Sequence, residues 1–150
     1  MGIGGPHADR SKGESCHGVS VMLVDDDPTF LRLAVMHLKR SGVNEIDVVG
    51  TASSGEECLI EAKTLSPEVI LIDLNMPGRG GLGTIPLLHI LFPRTRVIAL
   101  TLDDREEARR AVLAAGGCDL ISKTALRTDL IPAIKRALKR NAFELGFVSA

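Results

Sequence analysis

Cysteine is scarce. Cys16, Cys58 and Cys118 are an odd number with no C-x-x-C pair among them, which argues against a disulfide framework and for a reducing, cytoplasmic home. Long apolar runs are lacking too: no uninterrupted stretch approaches the roughly 20 residues that span a bilayer, and the first residues have no signal-peptide core, so no membrane partner is expected. Met1-Gly2 is no myristoylation signal, because Pro6 stands where that motif needs Ser or Thr. An excess of one charge is missing as well. The 18 Lys and Arg against 19 Asp and Glu give a net charge of -1, without the global basic bias that non-specific nucleic-acid binding needs. Tryptophan and tyrosine are absent, so any ring that moves in this protein is one of four phenylalanines.

What is present is ordinary for a globular domain: 45% hydrophobic and 25% charged residues in a chain of 150, enough for one sizeable core without staples. Residues 1–19, rich in Gly, Ser, His and charge, read as a flexible tail; 20–140 read as the folded domain, and 141–150 as a tail or the start of a linker. From Val19 onward short apolar runs alternate with segments of helical period, the pattern of βα units around a parallel sheet. Strands are expected over 21–24, 46–49, 69–72, 96–100 and 120–122. The third, Val69-Ile70-Leu71-Ile72, is apolar on both faces, as a central strand covered on each side must be.

Five helices are expected between and after the strands. The first starts at Pro28 and stops at Ser41-Gly42; the second opens on the capping box Ser54-x-x-Glu57 and closes at Ser66-Pro67. The third covers about 84–91, with Pro86 tolerated in its first turn; Asp103 or Asp104 caps the fourth, which ends at Gly116-Gly117; Thr128 caps the fifth. Right-handed crossovers wind such a chain into a three-layer α/β/α sandwich with its ligand site beyond the carboxyl ends of the strands.

Chemistry gathers at those ends. Asp25, Asp26 and Asp27 follow the first strand, Asp73 the third, Thr101 the fourth and Lys123 the fifth. Crowded carboxylates repel and raise one another's pKa, a cost that a divalent cation and a nearby ammonium offset. All-oxygen ligation suits Mg2+ rather than zinc, which recruits Cys or His. Asp27, before Pro28, is better placed to cap the first helix than to bind metal.

From Val19 to Arg140 the chain resembles the receiver domain of two-component response regulators. The carriers are Val24-Asp25-Asp26, Asp73-Leu74-Asn75-Met76-Pro77 with Gly81, Ala99-Leu100-Thr101 and Ser122-Lys123. The resemblance implies a flavodoxin-like sheet of order 2-1-3-4-5, and Asp73 as acceptor of a phosphoryl group from a cognate histidine kinase or phosphotransfer protein. It implies Mg2+ on Asp26, Asp73 and the backbone carbonyl of Asn75, with Asp25 acting through water. Lys123 would pair with Asp73 and then with the phosphoryl group. The Thr101 hydroxyl would read the product and shift the face of the fourth helix, fifth strand and fifth helix, also the candidate homodimer face. Such a domain is a signalling switch, not an enzyme that turns over a substrate.

Two departures stand out. Leu120 occupies the position where the family often has Tyr or Phe, and Thr124 stands where proline commonly follows the lysine. His37 and His89 lie in helical patterns and read as surface or satisfied residues. Residues 78–83 spell G-x-G-x-x-G, with Asp103 about 20 residues on, but Asp73 to Pro77 separate them from the strand end, and a loop kept flexible beside the site explains the glycines. The alternatives are a nucleotide-binding oxidoreductase, a small phosphatase with an acidic site, or a receiver that docks without being phosphorylated. Residues 141–150 are too short for a helix-turn-helix unit, so direct nucleic-acid binding by this segment is not expected, and the chain reads as a single-domain regulator or a fragment of a transcription factor.

Overall fold

Strand β3 (Val69–Asp73) is buried at every position, and the other elements are arranged to cover both its faces. The computed structural model describes residues 18–40 and 46–144. Around β3 lie β1 (Val19–Val24) and β4 (Arg96–Thr101), with β2 (Ile46–Ala52) and β5 (Asp119–Ser122) at the edges. The sheet is parallel throughout, in the order β2-β1-β3-β4-β5, as expected. Side chains alternate along β3: Val69 and Leu71 join the core under α1 (Pro28–Arg40) and α5 (Leu126–Glu144). Ile70 and Ile72 join the core under α2 (Gly55–Leu65), α3 (Gly80–Leu91) and α4 (Glu106–Ala115). Each such side chain contributes about 1.5–3 kcal/mol by leaving water, so this strand is a firmly held platform.

Several boundaries differ from the sequence reading, for local reasons. Strand β2 continues three residues past Val49, because a register slip between Val21 and Met22 leaves Val49 unpaired and resumes at Gly50. Helix α3 begins at Gly80 rather than near Thr84, which puts Pro86 inside it and not in its first turn. The bond that Pro86 cannot donate falls toward Leu82, an exposed position where water can satisfy the carbonyl. Helix α4 starts after Arg105, with no side-chain cap; the Asp103 carboxylate instead accepts the Arg105 N–H just outside the helix. Thr128 lies inside α5, which follows directly on a 3-10 turn (Lys123–Ala125) capped by Ser122. Its hydroxyl donates back to the Ala125 carbonyl.

Other signals are found as read. Ser54 accepts the Glu57 N–H at 3.0 Å, although the Glu57 carboxylate reaches back to Ser53, one residue earlier than a strict capping box. Ser66 ends α2 in the left-handed conformation, and Gly116 ends α4 the same way. The helix stop at Ser41-Gly42 and the parts of the expected tails at 1–17 and 145–150 lie outside the described residues.

Gly81 is required by close approach. A Cβ there would sit 2.1 Å from the Asp73 carbonyl oxygen and 2.8 Å from Leu74 Cα, both backbone atoms. In an ordinary helix Gly→Ala stabilises by about 1 kcal/mol; Gly81→Ala is expected to invert that sign and lower the unfolding free energy, read from urea denaturation.

At the other end of the sheet, the Asp119 carboxylate accepts from Arg109 of α4 at 3.0 Å and Arg136 of α5 at 3.2 Å. Burial alone would raise this carboxyl, but the hydrogen bonds from Arg109, the Leu120 N–H and Arg136 outweigh it and hold it below the usual carboxylate range. A lowered folded-state pKa adds stability that is present above the unfolded value and lost as pH falls through the folded one. Asp119→Asn should therefore cost on the order of 1 kcal/mol at neutral pH, and the gap from the unsubstituted protein should close as urea melts are taken to acid pH.

Candidate functional site

Strands β1 and β3 are neighbours in register, so their carboxyl ends bring Asp25 and Asp73 side by side. The Asp25 N–H continues the ladder to the Ala52 carbonyl of β2, which fixes its backbone. Its side chain is 1% exposed; one oxygen accepts the Asp27 N–H at 2.9 Å and the other accepts Lys123 Nζ at 2.6 Å. Asp26 is exposed at the rim, yet ligand oxygens of Asp25, Asp26 and Asp73 all lie within 4.8 Å of one another. Asp27 is turned away: its carboxylate accepts the Thr29 N–H and its carbonyl accepts the Leu31 N–H, the capping role expected for it.

Asp73 is 4% exposed, and its Oδ1 accepts the Asn75 N–H at 3.3 Å and lies 3.3 Å from Lys123 Nζ. Lys123 thus bridges both buried acids and sits closer to Asp25 than to Asp73. Burial alone would depress the ammonium, but the hydrogen bond to Asp25 and the Asp73 charge outweigh it and hold its pKa above the ordinary lysine value. Burial moves Asp25 the other way: despite the Lys123 bond its carboxyl is pushed up, with the Asp73 charge adding to the rise. Three carboxylates gather here, and one ammonium bridges two of them. The donor set is all oxygen, partly buried and in excess of negative charge, and so fits a hard divalent cation.

Thr101 is buried at the end of β4, but its hydroxyl is committed to the following loop, donating to the Asp103 carbonyl and accepting the Asp103 N–H. Asn75 is exposed and enters through its N–H. Leu120 is buried in the core under α2, α3 and α4, so no ring occupies that position. His89 is exposed, whereas the half-buried His37 has an Nε2 without a hydrogen-bond partner among the described residues, unlike the satisfied group expected. Cys58 and Cys118 are buried and in no disulfide, and burial pushes the Cys58 thiol up to about 12, which makes it unreactive.

Residues 78–83 form no phosphate-binding turn at a strand end. Gly78 and Gly80 hold positive φ, and the Gly81 N–H donates to the Leu74 carbonyl, so the glycines fold the loop tightly against Asp73 rather than keep it loose. One residue that sequence reasoning missed, Phe30, also frames the site. The Phe30 ring lies under Lys123, with Nζ 4.3 Å from its centroid. Beside them a groove of about 730 Å³ runs between α1 and the start of α5, past Leu33, Met36, His37 and Arg127. In the sequence Phe30 is simply an apolar residue at helical spacing.

Residues 21–135 match the family model for the response regulator receiver domain. The chain is 33% identical over 114 residues to response regulator GacA of Pseudomonas protegens, covering 76% of this chain and 53% of that protein. It is 36% identical over 118 residues to the nitrate/nitrite response regulator NarL of Escherichia coli, covering 79% and 54%. It therefore spans about half the length of these relatives. The signal receiver domain of a NarL response regulator from Mycobacterium tuberculosis superimposes with a TM-score of 0.75 at 29% identity, over 82% of this chain and 98% of that one. No described helix is long and apolar enough to cross a membrane. A five-stranded sheet of this order, with buried acids bridged by lysine at its carboxyl edge and a family match across nearly all of it, makes this chain a member of the response regulator receiver family, a phosphorylation-dependent signalling switch rather than a conventional enzyme.

Proposed function

We propose that Asp73 is the phosphoacceptor, taking its phosphoryl group from a histidine kinase or phosphotransfer protein. The observation that carries this reading is the convergence of the Asp25, Asp26 and Asp73 carboxylates within 4.8 Å, with Lys123 bridging the two buried ones. A carboxylate oxygen of Asp73 attacks phosphorus, the P–N bond to the donor imidazole breaks, and its electron pair leaves on the imidazole nitrogen. Transfer of this kind depends on positioning and electrostatic stabilisation more than on covalent assistance from the protein. Lys123 can follow the charge, moving from Asp25 toward a phosphoryl oxygen on Asp73. Asp26, Asp73 and the Asn75 carbonyl would hold Mg2+, with Asp25 acting through water; when bound it would neutralise charge on the phosphoryl oxygens.

Thr101 is the reader in this proposal. Its hydroxyl would leave Asp103 for the phosphoryl group, drawing in residues 102–105 and re-setting the α4–β5–α5 face, where a second copy would pair. The groove beside Lys123, lined by Phe30, Leu33 and Met36 together with Arg40 and Arg127, would be the surface on which a phosphodonor protein sits. Control of transcription through a region outside this chain, in the cytoplasm, goes with the same reading.

Incubation with phosphoramidate and Mg2+ is expected to add one phosphoryl group, located on Asp73 by mass spectrometry, and Asp73→Asn should abolish it. An unmodified Asp73, or turnover of a phosphate ester without a modified protein, would overturn the assignment. Asp26→Asn should raise the Mg2+ concentration for half-maximal rate at least about tenfold, since losing even an outer-shell partner of a metal ligand costs that much, whereas an unchanged Mg2+ requirement would remove Asp26 from the ligand set.

A further inference from the structure

We propose that Phe30 is a positioning residue for phosphoryl transfer, its ring seating the Lys123 ammonium against the carboxylates of Asp25 and Asp73. The inference rests on the reading of Asp73 as phosphoacceptor. Lys123 Nζ has Asp25 at 2.6 Å and Asp73 at 3.3 Å, and the Phe30 ring centroid at 4.3 Å. That separation is well inside the roughly 6 Å over which a ring face attracts a cation, and the Lys123 side chain is only 13% exposed, so the contact is largely desolvated, where such attraction is strongest.

The lysine needs a seat of this kind. Its four-carbon stem is flexible and its ammonium strongly hydrated, and both Lys123 and Phe30 line the neighbouring groove. Without the ring the ammonium has a solvated alternative on its open side. An aromatic face also binds without demanding one hydrogen-bond direction, so the ammonium can pivot from Asp25 to a phosphoryl oxygen while keeping contact with it. The ring is itself fixed from below: Phe30 is the third residue of α1, and the Asp27 cap on Thr29 and Leu31 locks the turn that carries it.

The test replaces Phe30 in the whole chain by 4-fluoro-, 3,5-difluoro- and 3,4,5-trifluorophenylalanine, which keep the ring's shape but progressively drain its negative face. The readout is the rate of Asp73 modification by phosphoramidate with saturating Mg2+, a donor too small to use the groove. The rate is expected to fall stepwise to about one fifth at the trifluoro ring and further with Phe30→Leu, while Phe30→Tyr retains it. Urea midpoints should stay level across the fluorinated series, which separates positioning from packing. A flat rate across that series would overturn the inference while leaving Asp73 as acceptor. Failure of the unsubstituted chain to be modified would instead remove the acceptor reading, and this inference with it.

Discussion

The site depends on one ammonium held between two buried carboxylates. Two unit charges of like sign 4–5 Å apart repel by about 3–4 kcal/mol at an effective dielectric near 20, and here three carboxylates meet with Asp25 and Asp73 almost fully buried. Lys123 relieves part of this, and its geometry follows from the sheet order. Strands β1 and β3 are adjacent, so their acids come together of necessity, but β4 separates β5 from β3. Only a long side chain can reach back from β5 across that gap. The reach that makes lysine suitable also leaves its head free to wander, which is why the surface under it matters.

The rest of the molecule divides into parts held tightly and parts left loose. β3 is buried throughout, and Gly81 lets α3 start close against its last residue, so Asp73 is carried on a rigid platform. On the neighbouring side, α4 begins without a side-chain cap and follows an exposed loop whose inner contact is the Thr101 hydroxyl. Arg109, in the first turn of that helix, reaches Asp119 at the start of β5, and Asp119 also holds Arg136 of α5.

Much of the architecture was legible because it rests on local patterns of high contrast. An unbroken apolar run at 69–72 can only be a doubly covered strand in a chain of this kind, and the alternation of runs with helical periods dictates the layers. Helix starts were read less well. Asp103, Asp104 and Thr128 are good capping residues by type, but Asp103 is used by Arg105 and Thr101, and Thr128 lies within a helix entered through the Lys123–Ala125 turn. Composition names the residue able to cap; competing partners, which only the fold assembles, decide whether it does.

The site was legible in its ions and obscure in what shapes them. Asp25, Asp26, Asp73 and Lys123 announce themselves by position at strand ends, and the structure brings them together. The preference of Lys123 for Asp25 was hidden, because it turns on fractions of an ångström between elements 98 residues apart in sequence. Gly81 was visible as a glycine but not as a contact, since what forbids a side chain there is the backbone of the preceding strand end. Phe30 was the hardest to see. A phenylalanine at helical spacing announces burial, and Phe30 does pack against the core; its ring also meets the only cation bridging the two buried carboxylates among the described residues. The chemistry of an acidic site is written in its charges, whereas their stillness is supplied by neighbours whose residue type reads as packing.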